Sequence, residues 1–154
     1  MRKFMYVIGV VLTLTAFSAC SAVAQTLSNC DDWRSSAASI GEPWEANTKL
    51  YAEDSVRLAI MDVGEPAAGS YRLLILTTTV EVPIERLCSV MSFDDDLGFA
   101  ELSFDGATDS TDPKNGLTIK IPAKRWLAVT DTYADALLTV SINPATGDIL
   151  GKLD

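Results

Sequence analysis

Two apolar runs decide the fold of this chain: Ser55-Val-Arg-Leu-Ala-Ile-Met-Asp-Val63 and Tyr71-Arg-Leu-Leu-Ile-Leu-Thr-Thr-Thr-Val80. Each is as long as a β-strand and rich in β-branched or large aliphatic residues. The linker Gly64-Glu-Pro-Ala-Ala-Gly69 interrupts regular structure with two glycines and a proline. We therefore expect two strands that pair through this linker and form the centre of a β-sheet.

The second run is apolar on both faces of the expected strand. Leu73 and Ile75 alternate with Leu74 and Leu76, so both sets of alternating positions are apolar. Such a strand lies inside a sheet that is covered on both sides. A buried helix is the alternative, but three consecutive threonines disfavour it, because β-branched side chains lose rotamer freedom in a helix.

Shorter strands are expected on either side of this centre. The candidates are residues 48–52, 84–91, 99–104, 117–121, 126–129, 136–142 and 149–153. The turn-rich segment 105–115 is expected to be a loop, and Pro122 is expected to end the strand before it. Asn143-Pro-Ala-Thr-Gly-Asp148 predicts a tight turn into the last strand.

The regular spacing of short strands predicts a mostly β fold, an antiparallel sandwich or barrel-like sheet with one short N-terminal helix. An α+β fold, with a helix packed on a single curved antiparallel sheet, is the alternative. The helix is expected over residues 32–40, because Asp32 can cap its first turn and Pro43 follows its end. Trp33 and Trp44 are expected in the core.

The N-terminus has the three parts of an export signal. Arg2 and Lys3 are basic, residues 4–17 are apolar, and Ala22-Val-Ala24 is an A-x-A cleavage site. Cleavage there would remove residues 1–24 and leave a single mostly β domain of residues 25–154. No stretch of that mature chain is long and apolar enough for a transmembrane helix.

The same segment is open to a second interpretation. Phe17-Ser-Ala-Cys20 resembles a lipoprotein signal in which Cys20 would be lipidated and become the first residue, although Phe stands where Leu is usual. An uncleaved membrane anchor is a third interpretation. The expected location is therefore the periplasm or the exterior, with a lipoprotein anchored in the bacterial envelope as the alternative.

Two cysteines remain in the mature chain, Cys30 and Cys88. An even pair in an oxidising compartment predicts a disulfide bond. Two buried free thiols are the alternative. A redox pair is disfavoured, because the chain contains no C-x-x-C spacing.

The chain is acidic, with a net charge of −9. Removal of residues 1–24 takes away Arg2 and Lys3 and leaves 10 basic against 21 acidic residues, a net charge of −11. This charge disfavours nucleic acid and anionic lipid surfaces as partners. It is compatible with a basic envelope protein as a partner, with a bound cation, or with a role in solubility alone.

No histidine occurs in the chain. Its absence excludes Ser-His-Asp and Cys-His catalysis and histidine-based metal sites. The chain also lacks the glycine-rich phosphate and dinucleotide motifs. We therefore expect a protein that is not an enzyme and that uses no cofactor and no metal. The acidic residues at 94–96 and 105–112 do not match the calcium-loop pattern and are expected to be solvated.

One group of residues could form a ligand patch. Lys120, Lys124, Arg125 and Trp126 combine cations with an aromatic ring, which suits an anionic ligand or a sugar ring. The alternative is structural: Lys120 would be the outward face of its strand, and Trp126 would belong to the core.

Three segments carry a resemblance: Pro43-Trp-Glu-Ala-Asn-Thr48, Val56-Arg-Leu-Ala-Ile60 and Gly64-Glu-Pro-Ala-Ala-Gly69. Together they resemble small exported proteins of alphaproteobacteria that have no assigned activity. The resemblance implies a periplasmic setting and supplies no catalytic or binding residues.

These observations predict an exported, non-enzymatic domain that binds a protein or a ligand. An inhibitor of a cationic enzyme such as a lysozyme would suit the acidic charge, although the S-G-S-G-x-x-Y type of inhibitor signature is absent. The alternative is a lipid-anchored structural or assembly accessory of the envelope.

Overall fold

A computed structural model describes residues 23–78, 86–113, 116–143 and 145–154. Within those ranges the chain is mostly β, with a single α-helix, α1 (Trp44–Asn47). The described strands are β1 (Val23–Ala24), β2 (Thr26–Asn29), β3 (Thr48–Tyr51), β4 (Val56–Asp62), β5 (Tyr71–Thr78), β6 (Arg86–Ser92), β7 (Glu101–Leu102), β8 (Thr108–Asp112), β9 (Gly116–Leu127), β10 (Thr132–Ile142) and β11 (Ile149–Leu153).

The described strands form two antiparallel sheets. The first sheet has the order β1-β11-β10-β9-β7, and β8 pairs with the same edge of β9 as β7. The second sheet has the order β2-β6-β5-β4-β3. The two sheets stay separate and pack face to face, so the fold is a sandwich and not a closed barrel-like sheet.

The central pair predicted from the sequence is confirmed. β4 pairs with β5 in antiparallel register, from Val56 opposite Thr77 to Asp62 opposite Tyr71. β5 is the middle strand of the second sheet, and both of its faces are largely buried. This is the covering on two sides that its apolar pattern predicts.

The main core lies between the two sheets. It is built from alternate residues of the long strands, which are buried almost completely because strand side chains point to opposite faces in turn. Its fully buried members are Ile60, Leu73, Ile75, Met91, Phe99, Ile119, Ile121, Leu138, Val140 and Ile142. A second, smaller cluster lies on the other face of the second sheet and contains Ala59, Met61, Leu74 and Val90.

The helix predicted over residues 32–40 is replaced by two separate 3-10 turns, Trp33–Ser35 and Ala37–Ser39. Serine explains the difference, because its hydroxyl competes for backbone hydrogen bonds and favours turns over helix interiors. The hydroxyl of Ser35 donates to the carbonyl of Asp32 at 2.9 Å, and the backbone becomes extended at Ser36. The described α-helix, α1, begins only at Trp44, after both 3-10 turns.

Two further expectations need correction. Residues 105–115, expected as a loop, contain β8, which extends the sheet along one end of β9.

Pro122 does not end its strand, because β9 continues to Leu127. The carbonyl of Pro122 accepts from the N–H of Ser103 at 3.1 Å, on the edge where β9 changes partner from β8 to β7. A proline at this gap costs no ladder hydrogen bond.

Two predicted strands also differ from the structure. The strand over 126–129 is not separate, because Trp126 and Leu127 are the end of β9 and residues 128–131 form a turn, and the strand over 99–104 is reduced to β7. The hairpin before β11 is confirmed, with Gly147 at a φ of 77° and its N–H bonded to the carbonyl of Asn143 at 2.7 Å. Most of the predicted export signal, including Cys20, is not described, and neither is the start of the strand predicted over 84–91. In the part that is described, no helix is long and apolar enough to cross a bilayer.

Candidate functional site

The second sheet has an outer face that points away from the main core. On β5 it carries Arg72, Leu74 and Leu76, and on β4 it carries Arg57 and Ala59. Among the described residues, the chain between β2 and β3 covers one half of this face, and the other half is open. The open half is the candidate functional site.

A disulfide bond fixes the covering segment to the sheet. Cys30 and Cys88 form a disulfide bond, as predicted from the cysteine count. Further along, Ile40 forms an antiparallel bridge with Met61, and the N–H of Gly41 donates to the carbonyl of Ile60 at 2.9 Å. The segment is therefore anchored at both ends, once covalently and once as a short extension of the sheet.

Arg72 is buried beneath this segment, with 1% of its surface exposed. The ring of Trp33 lies over its guanidinium at 5.4 Å and also contacts Arg34 at 5.7 Å. One guanidinium nitrogen of Arg72 donates to the carbonyl of Asp96 at 3.3 Å. Burial, and then the positive charge of Arg34, lower the pKa of Arg72. Trp33 itself is half-exposed, so its expected place in the core is wrong.

The open half of the outer face forms a groove with a volume of about 530 Å³. Two rows of side chains cross its floor, because paired residues of adjacent strands share a face. The first row is Thr48, Ala59 and Leu74, and the second is Leu50, Arg57 and Leu76. The small side chain of Ala59, in the middle of the first row, leaves room for the depression.

Ile40 and Trp44 form the wall of the groove. The wall is held to the floor by α1, since the hydroxyl of Thr48 at the start of β3 donates to the carbonyl of Trp44 at 2.8 Å. The side chain of Trp44 is 49% exposed, and that of Leu50, in the second row of the floor, is 52% exposed. The sequence led us to expect Trp44 in the core. In the structure it lies on the surface, where its ring forms one side of the groove.

Arg57 is the charged side chain on the floor. Lys49 and Leu58 also line the groove, but they pair with each other in the register whose side chains point to the opposite face. Within the described ranges, the ion pairs join Arg34 with Asp32, Lys124 with Glu101, and Lys152 with Asp154. Arg57 therefore has no described carboxylate as a partner.

The ligand patch predicted from the sequence lies on the outer face of the first sheet and is only partly assembled. Lys120, Lys124 and Trp126 share that face, because they occupy alternate positions of β9. Arg125 has the opposite orientation. The surface is a strand face with no described cavity, and Trp126 is half-buried there and not part of the core.

Two contacts occupy the functional groups of this patch. Lys124 forms an ion pair with Glu101, and this hydrogen bond raises the pKa of the lysine. The ring of Trp126 contacts Tyr133 at 4.9 Å between centroids, with the planes tilted by 59°. Lys120 is exposed between two threonines, Thr108 and Thr139. The patch therefore offers one unpaired lysine beside a ring that already has an aromatic neighbour.

The acidic loops do not come together as a metal site. Among the described residues, no group of three or more aspartate, glutamate or cysteine side chains could hold a metal ion. In the loop after β6, the carboxylate of Asp94 accepts from the N–H groups of Asp96 and Leu97. That carboxylate stabilises its own turn.

The sequence signal for the groove is the pair of leucines on the outer face of β5. Leu74 and Leu76 both face outward, and the pattern predicted a cover over both. The covering segment packs against Leu74 through the smaller cluster, whereas Leu76 is only half-buried. Residues such as Leu50 and Trp44 gave no separate signal, since exposed apolar residues are common.

Comparisons of the chain with protein-family models, with curated proteins and with solved structures find no match.

The disulfide supports the wall of the groove, so its loss has a measurable cost. The bridge joins residues 58 positions apart, and closing such a loop is worth about 4 kcal/mol in the chain-entropy model. We expect the variant Cys30→Ser/Cys88→Ser to lose about that free energy of unfolding in urea titrations. Dithiothreitol should destabilise the wild type and leave this variant unchanged. Labelling of both thiols by a maleimide in unfolded, unreduced protein would contradict the bridge.

Proposed function

We propose that this protein is an exported, non-enzymatic binding module, and that its binding site is the groove on the outer face of the second sheet. The observation that carries the proposal is the open half of an otherwise covered apolar face. A volume of about 530 Å³ lies within the range of small-molecule sites, which are mostly apolar with few polar groups.

The chemistry of the lining favours binding over catalysis. General acid–base and nucleophilic mechanisms need a titratable or nucleophilic side chain in reach of the ligand. The lining residues are aliphatic or aromatic apart from Thr48, Lys49 and Arg57. Thr48 supplies a hydroxyl and Arg57 a positive charge on the floor, and both suit ligand orientation.

The groove makes a direct prediction about apolar ligands. The uncharged fluorescent probe N-phenyl-1-naphthylamine should bind the folded protein with increased emission. Leu50→Ala and Trp44→Ala should each weaken binding by about 1–2 kcal/mol, roughly five- to thirtyfold, because each removes apolar contact area. Titrations of probe emission measure the effect.

Leu150→Ala is the matched control, since Leu150 is 71% exposed but lies on the first sheet. It should bind the probe like the wild type. Equal losses in Leu50→Ala and Leu150→Ala, or no binding by folded wild type, would refute the groove as the site.

Export is proposed from the basic and apolar N-terminus together with the disulfide, which is typical of oxidising compartments. Cleavage after Ala24 would remove β1, which pairs with Lys152 and Leu153 of β11. Gln25 would then begin the sheet, and its N–H lies 3.4 Å from the carbonyl of Gly151. A lipidated start at Cys20, as in an envelope-anchored accessory, would keep β1.

The two forms differ in intact mass. We expect protein purified from an envelope fraction to have the mass of residues 25–154, because the A-x-A site matches its pattern better than the lipoprotein signal does. Treatment with reductant should add the mass of two hydrogens from the bridge. A chain that begins at Cys20 and carries acyl groups would overturn this expectation and favour the anchored accessory.

A second candidate function follows from charge. The proposed mature chain has a net charge of −11, and Asp94, Asp95 and Asp96 are all exposed in one loop. Complementary charge accelerates association with a basic partner. An inhibitor of a cationic envelope enzyme would use this acidic loop and not the groove.

Lysozyme, a basic enzyme, tests this candidate. If it is right, the protein at micromolar concentration lowers lysozyme activity at low ionic strength, and added salt restores the activity. The variant Asp94→Asn/Asp95→Asn/Asp96→Asn should inhibit less, and Leu50→Ala should inhibit like wild type. Unchanged lysozyme activity at low salt would remove this version of the proposal.

A further inference from the structure

Arg57 is the one charged side chain that the strand register directs onto the groove floor among the described residues. It lies between Leu50 on β3 and Leu76 on β5. We propose that the groove takes a free, single-chain anionic amphiphile, a long-chain carboxylate. Its chain would lie along the apolar floor and wall, and its carboxylate would bind the Arg57 guanidinium. This inference rests on the proposed function of the groove.

The unpaired state of Arg57 is the first argument. The chain has 21 acidic against 12 basic residues, yet among the described cations the ion pairs take in only Arg34, Lys124 and Lys152. The described ion pairs leave Arg57 out. A guanidinium presents a planar fork of N–H donors that matches a carboxylate, and such a charge-assisted bond is stronger than a neutral one.

The position of Arg57 within the floor is the second argument. Apolar side chains flank it on both sides in its own row, and the neighbouring row offers Ala59 and Leu74. A ligand that fits this surface therefore needs one anionic group attached to an apolar body. A fully charged or fully polar molecule would leave the floor and Trp44 uncovered, and an uncharged hydrocarbon would leave Arg57 unpaired.

The size of the groove favours a free molecule over a larger partner. Ten residues line it, whereas a stable protein interface uses about 20–30 residues on each side. The acidic charge of the chain opposes approach to an anionic bilayer. At physiological ionic strength, screening over about 8 Å limits that repulsion for a small ligand in contact with Arg57.

Competition against the bound neutral probe tests the inference in the purified protein. Dodecanoate, dodecan-1-ol and dodecyltrimethylammonium share the alkyl chain and differ in head charge. The two ionic compounds are used below their micellar concentrations and dodecan-1-ol below its solubility limit. Dodecanoate should displace the probe at the lowest concentration. Arg57→Gln should raise the dodecanoate concentration needed by about five- to tenfold and leave dodecan-1-ol unchanged. Arg57→Glu should reverse the preference, so that dodecyltrimethylammonium displaces better than dodecanoate.

The charge-matched control is Lys152→Gln, which removes one cation from the first sheet and should behave like the wild type. Equal displacement by the three competitors, with bound probe, would overturn the carboxylate inference and leave the groove as a site. Absence of probe binding would remove the proposed function and the inference together. Flotation with anionic phospholipid vesicles, in the absence of dodecanoate binding, would overturn it in favour of a membrane surface.

Discussion

The burial of β5 on both faces is the constraint on which the rest of this structure depends. Leu73 and Ile75 face one way, and Leu74 and Leu76 the other, so either face left open would expose a row of large aliphatic side chains to water. The first sheet covers the inner face. On the outer face no further sheet is present in the described chain, and a short irregular segment covers part of it instead.

That segment shows how a cover without regular secondary structure is kept in place. It has two 3-10 turns and one helical turn, which by themselves bury little and would not persist in water. The disulfide at Cys30 and the bridge at Ile40 fix it to β6 and β4. Between these points Trp33 closes over Arg72, a buried cation that a continuous apolar cover would not tolerate.

The groove is a consequence of the same arrangement. The segment turns into α1 and returns as the edge strand β3 before it has covered Leu76, so Trp44 lies beside the remaining apolar floor and does not cover it. In the described chain, folding thus leaves an open apolar surface with the positive charge of Arg57 on its floor, in a protein with a net charge of −9. Apolar surface of this kind is the feature by which ligand sites are distinguished from the rest of a protein surface.

The sequence by itself determined a mostly β, antiparallel fold, the central hairpin and the disulfide, because alternation, turn residues and paired cysteines act locally or leave few options. The choice of a sandwich over a barrel-like sheet came from the tertiary structure. It did not determine β8, the continuation of β9 through Pro122, or the turns at residues 33–39, since each depends on which neighbour supplies or omits a hydrogen bond. Only the tertiary structure decided the site. It divided the predicted patch, because Arg125 points to the other face of β9 from Lys124. It also brought Trp44 of α1 together with Leu50 and Arg57 of two paired strands, in a register that no local pattern encodes.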